Sequence, residues 1–204
     1  MNMNQKDTAC SGCSEESVLK IVMLGGSSGA LHPLASILGG LPDDFSLPVF
    51  VVNHLHADDN GGFAEYLGML TSLSVIEPCD KTPMEAGVVY VAPANYHMLL
   101  ETDGLISLSV DEKVNWSRPS IDVFFESAAV ARGEDIVGII LSGANADGAR
   151  GMMAIRQAGG MTIAQSPDEA ESPTMPLAAI NTGAVCEVLR ADEIVKRLLG
   201  IGAA

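Results

Sequence analysis

Cations are scarce in this 204-residue chain: lysine and arginine together number 11 against 26 aspartates and glutamates, a net charge of −15. Such a field repels phosphate backbones and anionic lipid headgroups, so neither nucleic acid nor membrane insertion is expected. Cysteine is scarce as well. Cys10, Cys13, Cys79 and Cys186 are too few and too scattered for a disulfide framework in a chain of this size, which points to a reducing compartment. No apolar run approaches the ~20 residues of a membrane span, and the first seventeen residues are polar where a signal peptide would be apolar. A cytoplasmic location is the expectation. Internal repeats are missing too, as is any linker-like stretch after Val18.

What is present is a core. Hydrophobic residues make up 48% of the chain and charged residues 18%, with 21 glycines and 10 prolines to make tight turns. A chain of this length buries roughly 70% of its unfolded surface and needs no disulfide or metal staples. Residues 1–17 lack periodicity and large apolar side chains, and read as a disordered tail. From Val18 onward, short β-rich runs ending in Gly, Asn or Asp alternate with stretches of helical spacing, so 18–204 reads as one α/β domain. Strands are predicted over 20–24, 48–52, 74–77, 88–91, 136–141, 161–164 and 184–188, most of them apolar throughout, as in a sheet covered on both faces. Helices are predicted over 30–38, 62–70, 121–131, 149–157 and 191–199. The stretch from Gly87 through Asn95 to Ser109 reads as a small antiparallel ribbon at the sheet edge. The expected architecture is a doubly wound, mostly parallel sheet flanked by helices.

Three polar turns follow apolar strands. Gly25-Gly26-Ser27-Ser28-Gly29 has the G-x-S-x-G spacing of a nucleophile elbow, in which small neighbours let a serine occupy a tight strand-to-helix turn. The helix N-terminal N–H groups beside it could hold an oxyanion. The plainer alternative makes Ser27 and Ser28 helix caps. A dinucleotide fingerprint fits less well, since it needs glycine where Ser27 stands. His54 ends the second strand and could face the Ser27 turn across a crevice at the carboxyl ends of the strands. Asp147 follows the run 136–141, either as the third member of a Ser-His-Asp set or as N-cap of the next helix.

Other candidates are weaker. His54, His56 and Asp58 imitate part of a metallohydrolase pattern, but Asp59 stands where that pattern needs histidine and only His97 lies downstream. Cys10 and Cys13 form a lone C-x-x-C without a second pair, strand or helix beside it. Met69, Met152 and Met153 occupy apolar helical positions and read as core.

In order and spacing, these segments resemble the catalytic domain of the CheB-type protein-glutamate methylesterases of bacterial chemotaxis, from about Lys20 to Leu199. The matching pieces are the Gly25 to Gly29 turn, Asn53-His54, Tyr90-Val91-Ala92-Pro93 and His97-Met98. Further pieces are Ser117-Arg118-Pro119-Ser120-Ile121-Asp122, Asp147-Gly148-Ala149, Arg156-Gln157-Ala158-Gly159 and Met175-Pro176. The resemblance implies Ser27 as nucleophile, His54 as general base and Asp147 as its orienting partner, with backbone N–H groups of Ser28 and Ala144 as oxyanion donors. No cofactor or metal is implied. The implied reaction removes methyl from glutamate 5-methyl esters on a chemoreceptor-like protein, releasing methanol. Arg118 and Arg150, next to turns expected at the crevice, are candidates to bind an acidic substrate or are solvated surface arginines. Where the family has methionine and glycine before the aspartate, this chain has Ala144 and Asn145, and only about twenty residues stand where the family carries a receiver domain. The other readings are a catalytically retired binding module of the same fold and a metallohydrolase using His54, His56 and Asp58.

Overall fold

The computed structural model describes residues 20–202, so the expected tail and its Cys10-x-x-Cys13 pair lie outside the described residues. The first half of the chain runs β1 (Ile21–Gly26), α1 (Leu31–Gly39), β2 (Val49–Asn53), α2 (Gly62–Gly68), β3 (Ser74–Ile76), β4 (Thr82–Pro83), β5 (Val88–Val91), β6 (His97–Leu100) and β7 (Leu105–Ser109). It continues through α3 (Ile121–Arg132), β8 (Ile136–Ile140), α4 (Ala149–Gln157), β9 (Met161–Gln165), α5 (Thr174–Asn181), β10 (Glu187–Leu189) and α6 (Ala191–Gly202). Seven strands form one parallel sheet in the order β10, β9, β8, β1, β2, β5, β3, and β4, β7 and β6 form a small antiparallel sheet.

The near-continuous apolar strands make sense once both faces of the sheet are seen to be covered. Successive side chains alternate between faces. Val22, Leu24, Val49, Val51 and Ile139 pack with Leu34, Ile37, Ile194 and Leu198 on the α1 and α6 side. Ile21, Met23, Phe50, Val52 and Ile140 pack with Phe124, Phe125, Met152 and Met175 on the α3, α4 and α5 side. Full burial of one such aliphatic side chain stabilises by about 1.5–3 kcal/mol, so two filled faces hold the strand ends rigid. Phe50 lies 5.2 Å from Tyr90 and 5.1 Å from Phe124 between ring centroids, which locks α3 against the sheet.

Chain order reverses beside β1, since β2 lies on one side of it and β8 on the other, and this opens a crevice at the carboxyl ends. The register puts those ends level: Gly26 pairs with Asn53, and Gly25 with Ile140.

Three predicted elements differ, and one helix, α5, was not predicted. The stretch from Gly87 divides, with Val88–Val91 inside the parallel sheet and only β6 and β7, joined by β4, antiparallel. That small sheet is not an edge flap: Met98, Leu100 and Ile106 share the core formed with α3. Residues 184–186 stay outside β10, because the Ala184 carbonyl is taken by the Thr162 hydroxyl at 2.6 Å and pairing begins only at Glu187. Helix α5 was hidden by Pro173 and Pro176, which fall at its N-cap and first turn, where no proline N–H is missed. Met69 is 80% exposed rather than core, because α2 stops at Gly68, whereas Met152 is fully buried.

Candidate active site

The crevice brings three chain segments together. Ser27 lies one residue past β1, and its N–H donates to the Ser142 carbonyl at 2.9 Å, tying the serine turn to the loop after β8. His54 lies one residue past β2, with its N–H on the Gly26 carbonyl at 3.3 Å. Helix α1 begins at Leu31 with Ala30 as N-cap and no side-chain capping bond, so neither serine is a helix cap. Gly29 closes the turn at φ +78°, and a Cβ there would stand 2.7 Å from the Ser142 hydroxyl, so the position requires glycine. The backbone N–H groups of Ser28 and Ala144 make no hydrogen bond among the described residues, which leaves two donors free beside the turn.

Asp147 is buried and receives five donors. Its Oδ2 accepts from the His54 ring Nε2 at 2.9 Å and the Ile121 N–H at 2.7 Å. Its Oδ1 accepts from Asn115 Nδ2 at 2.7 Å, the Ser120 hydroxyl at 3.0 Å and the Asp122 N–H at 3.2 Å. The carboxylate therefore sits on the N-terminus of α3, where the helix dipole favours negative charge. Helix α4 is capped instead by Gly148, at φ +89°, without a side-chain bond. Burial alone would push the Asp147 carboxyl up. Hydrogen bonds from His54, Asn115 and the N–H groups of Ile121 and Asp122 outweigh that effect and hold it at about 2. It is an anion at neutral pH and fixes a proton on His54 Nε2. Nδ1 is then the imidazole nitrogen that can accept a proton.

A cavity of about 90 Å³ opens beside this set, lined by His54, Asn95, Lys113, Trp116, Ser117 and Arg118 among others. Arg118 is at its wall, but Nη1 donates to the Asp111 carbonyl at 2.8 Å and also to that of Val110. Arg150 is not at the cavity. It pairs with buried Asp122 at 3.0 Å and with Glu126 at 3.5 Å, joining α4 to α3. The alternative metal trio does not assemble: His54 is committed to Asp147, while His56 and Asp58 pair at 3.4 Å in solvent. Among the described residues no group of three or more His, Cys, Asp or Glu side chains is placed to hold a metal ion.

Known proteins resemble this chain over nearly all of its described residues. The CheB methylesterase family model matches residues 22–198. This chain belongs to the CheB methylesterase family. A Leptospira interrogans chain, named for the protein-glutamate methylesterase/protein-glutamine glutaminase activity, is 39% identical over 86% of this chain and 91% of its own length. An Anaeromyxobacter dehalogenans protein-glutamate methylesterase/protein-glutamine glutaminase is 40% identical over 88% of this chain, which spans about half (52%) of that relative. The crystal structure of the Thermotoga maritima CheB methylesterase catalytic domain superposes with a TM-score of 0.86 at 30% identity, covering 90% of this chain and 98% of that one.

Several residues that shape the CheB-type site carried no role in the sequence reading. Asn115 bonds Asp147 and also Asp122, at 2.9 Å, so one amide bridges two buried carboxylates. Asn145, in the loop before the aspartate, accepts the Asp147 N–H at 3.0 Å and so sets the turn that aims the carboxylate. His97 is buried, accepts the Ser120 N–H on Nδ1 at 3.2 Å and meets the Glu112 carbonyl through Nε2 at 3.0 Å. The signal for Asn115 and His97 was the Ser120-Ile121-Asp122 start of α3, a capping sequence whose N-terminal N–H groups need partners.

Proposed function

We propose that this chain is a serine hydrolase of γ-glutamyl methyl esters on a methylated chemoreceptor or similar protein, working in the cytoplasm through the single domain expected from residue 18 onward. The observation that carries the reading is the 2.9 Å contact of His54 Nε2 with Asp147, beside a glycine-flanked serine turn. Ser27 Oγ attacks the ester carbonyl and its proton passes to His54 Nδ1, because Nε2 is occupied by Asp147. The oxyanion is held by the N–H groups of Ser28 and Ala144. Methanol leaves with the proton from His54, and a water activated by the same nitrogen then releases the glutamate and restores Ser27. Asp147 stays ionised throughout and stabilises the imidazolium. No step calls on a metal or organic cofactor.

The relatives' names add protein-glutamine glutaminase, which fits the same machinery. Attack on a glutaminyl side chain gives the same acyl-enzyme and differs only in releasing ammonia. The test is methanol release from a methylated receptor fragment and ammonia release from its glutaminyl counterpart. Both are expected from the wild type, and neither from Ser27→Ala. Labelling of Ser27 by a serine probe without either product would place the activity on a different ester.

A further inference from the structure

Residues 110–118 form a largely exposed loop that is pinned at four points. Arg118 holds the carbonyls of Val110 and Asp111, His97 meets that of Glu112, Asn115 reaches the buried carboxylates of Asp122 and Asp147, and Val114 and Ser117 exchange backbone hydrogen bonds across a two-residue turn. The turn residues are Asn115 at φ +51° and Trp116 at φ +65°. Asparagine tolerates the left-handed region; a bulky aromatic there is an outlier that persists only where the surroundings over-determine it. Trp116 is the only tryptophan of the chain and is 95% exposed. A fold that strains an indole into solvent, on a rigid loop whose preceding residue bonds Asp147, presents that ring to something outside the fold. It stands at the rim of the cavity that contains His54.

Lys113 is exposed at the same rim and forms no ion pair among the described residues, in a chain of net charge −15. Exposed Asp111 and Glu112 precede it without pairing to it, so its ammonium is open to a carboxylate brought by another molecule. Resting on the functional reading above, we infer that Trp116 and Lys113 form the docking site for the substrate protein. Trp116 lies along the segment that carries the glutamyl ester, and Lys113 pairs with a neighbouring carboxylate of that segment. Trp116 contributes specificity for a protein-borne ester and takes no part in the chemistry at the carbonyl. Indole rings on rigid supports are among the side chains that carry most binding energy at interfaces.

The test compares two substrates and reads one spectrum. The substrates are a helical peptide with one γ-glutamyl methyl ester flanked by glutamates, and N-acetylglutamate γ-methyl ester amide, too small to reach the rim. Trp116→Gly, which accepts the turn's backbone, is expected to lower the ratio of kcat/KM for peptide over small ester about tenfold, chiefly through KM, and Lys113→Gln about threefold. In Ser27→Ala, where no turnover occurs, the lone tryptophan's emission should shift to shorter wavelength and saturate as peptide is added. Hydrolysis of both esters by the wild type with an unchanged ratio in Trp116→Gly, or with no emission change on peptide binding, overturns this inference and leaves the functional reading standing. Failure of the wild type to hydrolyse either ester overturns both.

Discussion

Asp147 Oδ2 accepts the Ile121 N–H at 2.7 Å, so the carboxylate that follows β8 is anchored on the first turn of α3 and not on the helix it precedes. A residue just ahead of the N-cap of α4 thereby serves the N-terminal N–H groups of α3. That anchorage lowers its proton affinity, leaves Oδ2 aimed at His54, and ties the site to α3, itself fixed by Phe124 on Phe50.

Ser27→Ala is expected to abolish ester hydrolysis, by on the order of 10⁶ in kcat, with a nearly unchanged unfolding midpoint, since the side chain caps no helix. Ser28→Ala should keep most of the activity, because its proposed contribution is a backbone N–H. Methanol release by the two variants, side by side, checks the assignment. Retention of a tenth or more of wild-type turnover by Ser27→Ala would move the nucleophile elsewhere.

Asp147→Asn should lower kcat by roughly 10⁴ with little change in KM. The amide can present an N–H to His54 Nε2, which favours the proton on Nδ1, the nitrogen that must be free to take the serine proton. The same carboxyl makes stability depend on pH. Its folded value of about 2 lies below the ordinary 3.8, so the stabilisation is fully present above about pH 4 and is lost as the pH falls through about 2. The difference is worth about 2 kcal/mol. Urea unfolding of wild type and Asp147→Asn should therefore show a stability gap at neutral pH that narrows between about pH 4 and 2. A gap constant across that range would contradict the anchored carboxylate.

The parallel sheet was legible because its strands are apolar on both faces, and Ser27, His54 and Asp147 stood out as candidates because Ser27 and His54 directly follow such strands and Asp147 lies in the polar turn after a third. Asn115 was not. Its neighbours Val114 and Trp116 carry no periodicity, and its partners Asp122 and Asp147 are 7 and 32 residues away, so only the turn that places it reveals its role. The placement of Arg150 was hidden for a related reason: sequence shows that it lies near Asp147, but not that the first turn of α4 directs it to Asp122. Helix α5 disappeared behind two prolines whose harmlessness depends on their place in the first turn.

Asn115 positions Asp147 and Asp122 through a single amide nitrogen. Asn115→Ala leaves two buried carboxylates each one donor short and is expected to cost about 1–3 kcal/mol, with a fall in kcat larger than any rise in KM. Asn115→Asp adds a third carboxylate and should be less stable than Asn115→Ala at neutral pH, the two converging as acid protonates the cluster. Unfolding of both variants from about pH 7 to 3 checks this. Equal stability at neutral pH would show that the side chain does not face the carboxylates.

The two arginines separate cleanly by experiment. Arg150 is 58% exposed at its side chain, whereas its partner Asp122 is 2% exposed and keeps the Gly151 N–H at 2.9 Å and Asn115 when the guanidinium is removed. Arg150→Met should therefore cost roughly 1 kcal/mol of stability and leave KM for a methylated peptide within about twofold. Arg118 acts differently, because its guanidinium holds the carbonyls of Val110 and Asp111 at the start of the loop that lines the cavity. Arg118→Gln frees that end of the loop, so KM for the peptide should rise several-fold, and limited proteolysis should cut within residues 110–117 where the wild type resists. A rise in KM for Arg150→Met with an unmoved urea midpoint would mean that this guanidinium meets substrate and that its pairing with Asp122 gives way on binding.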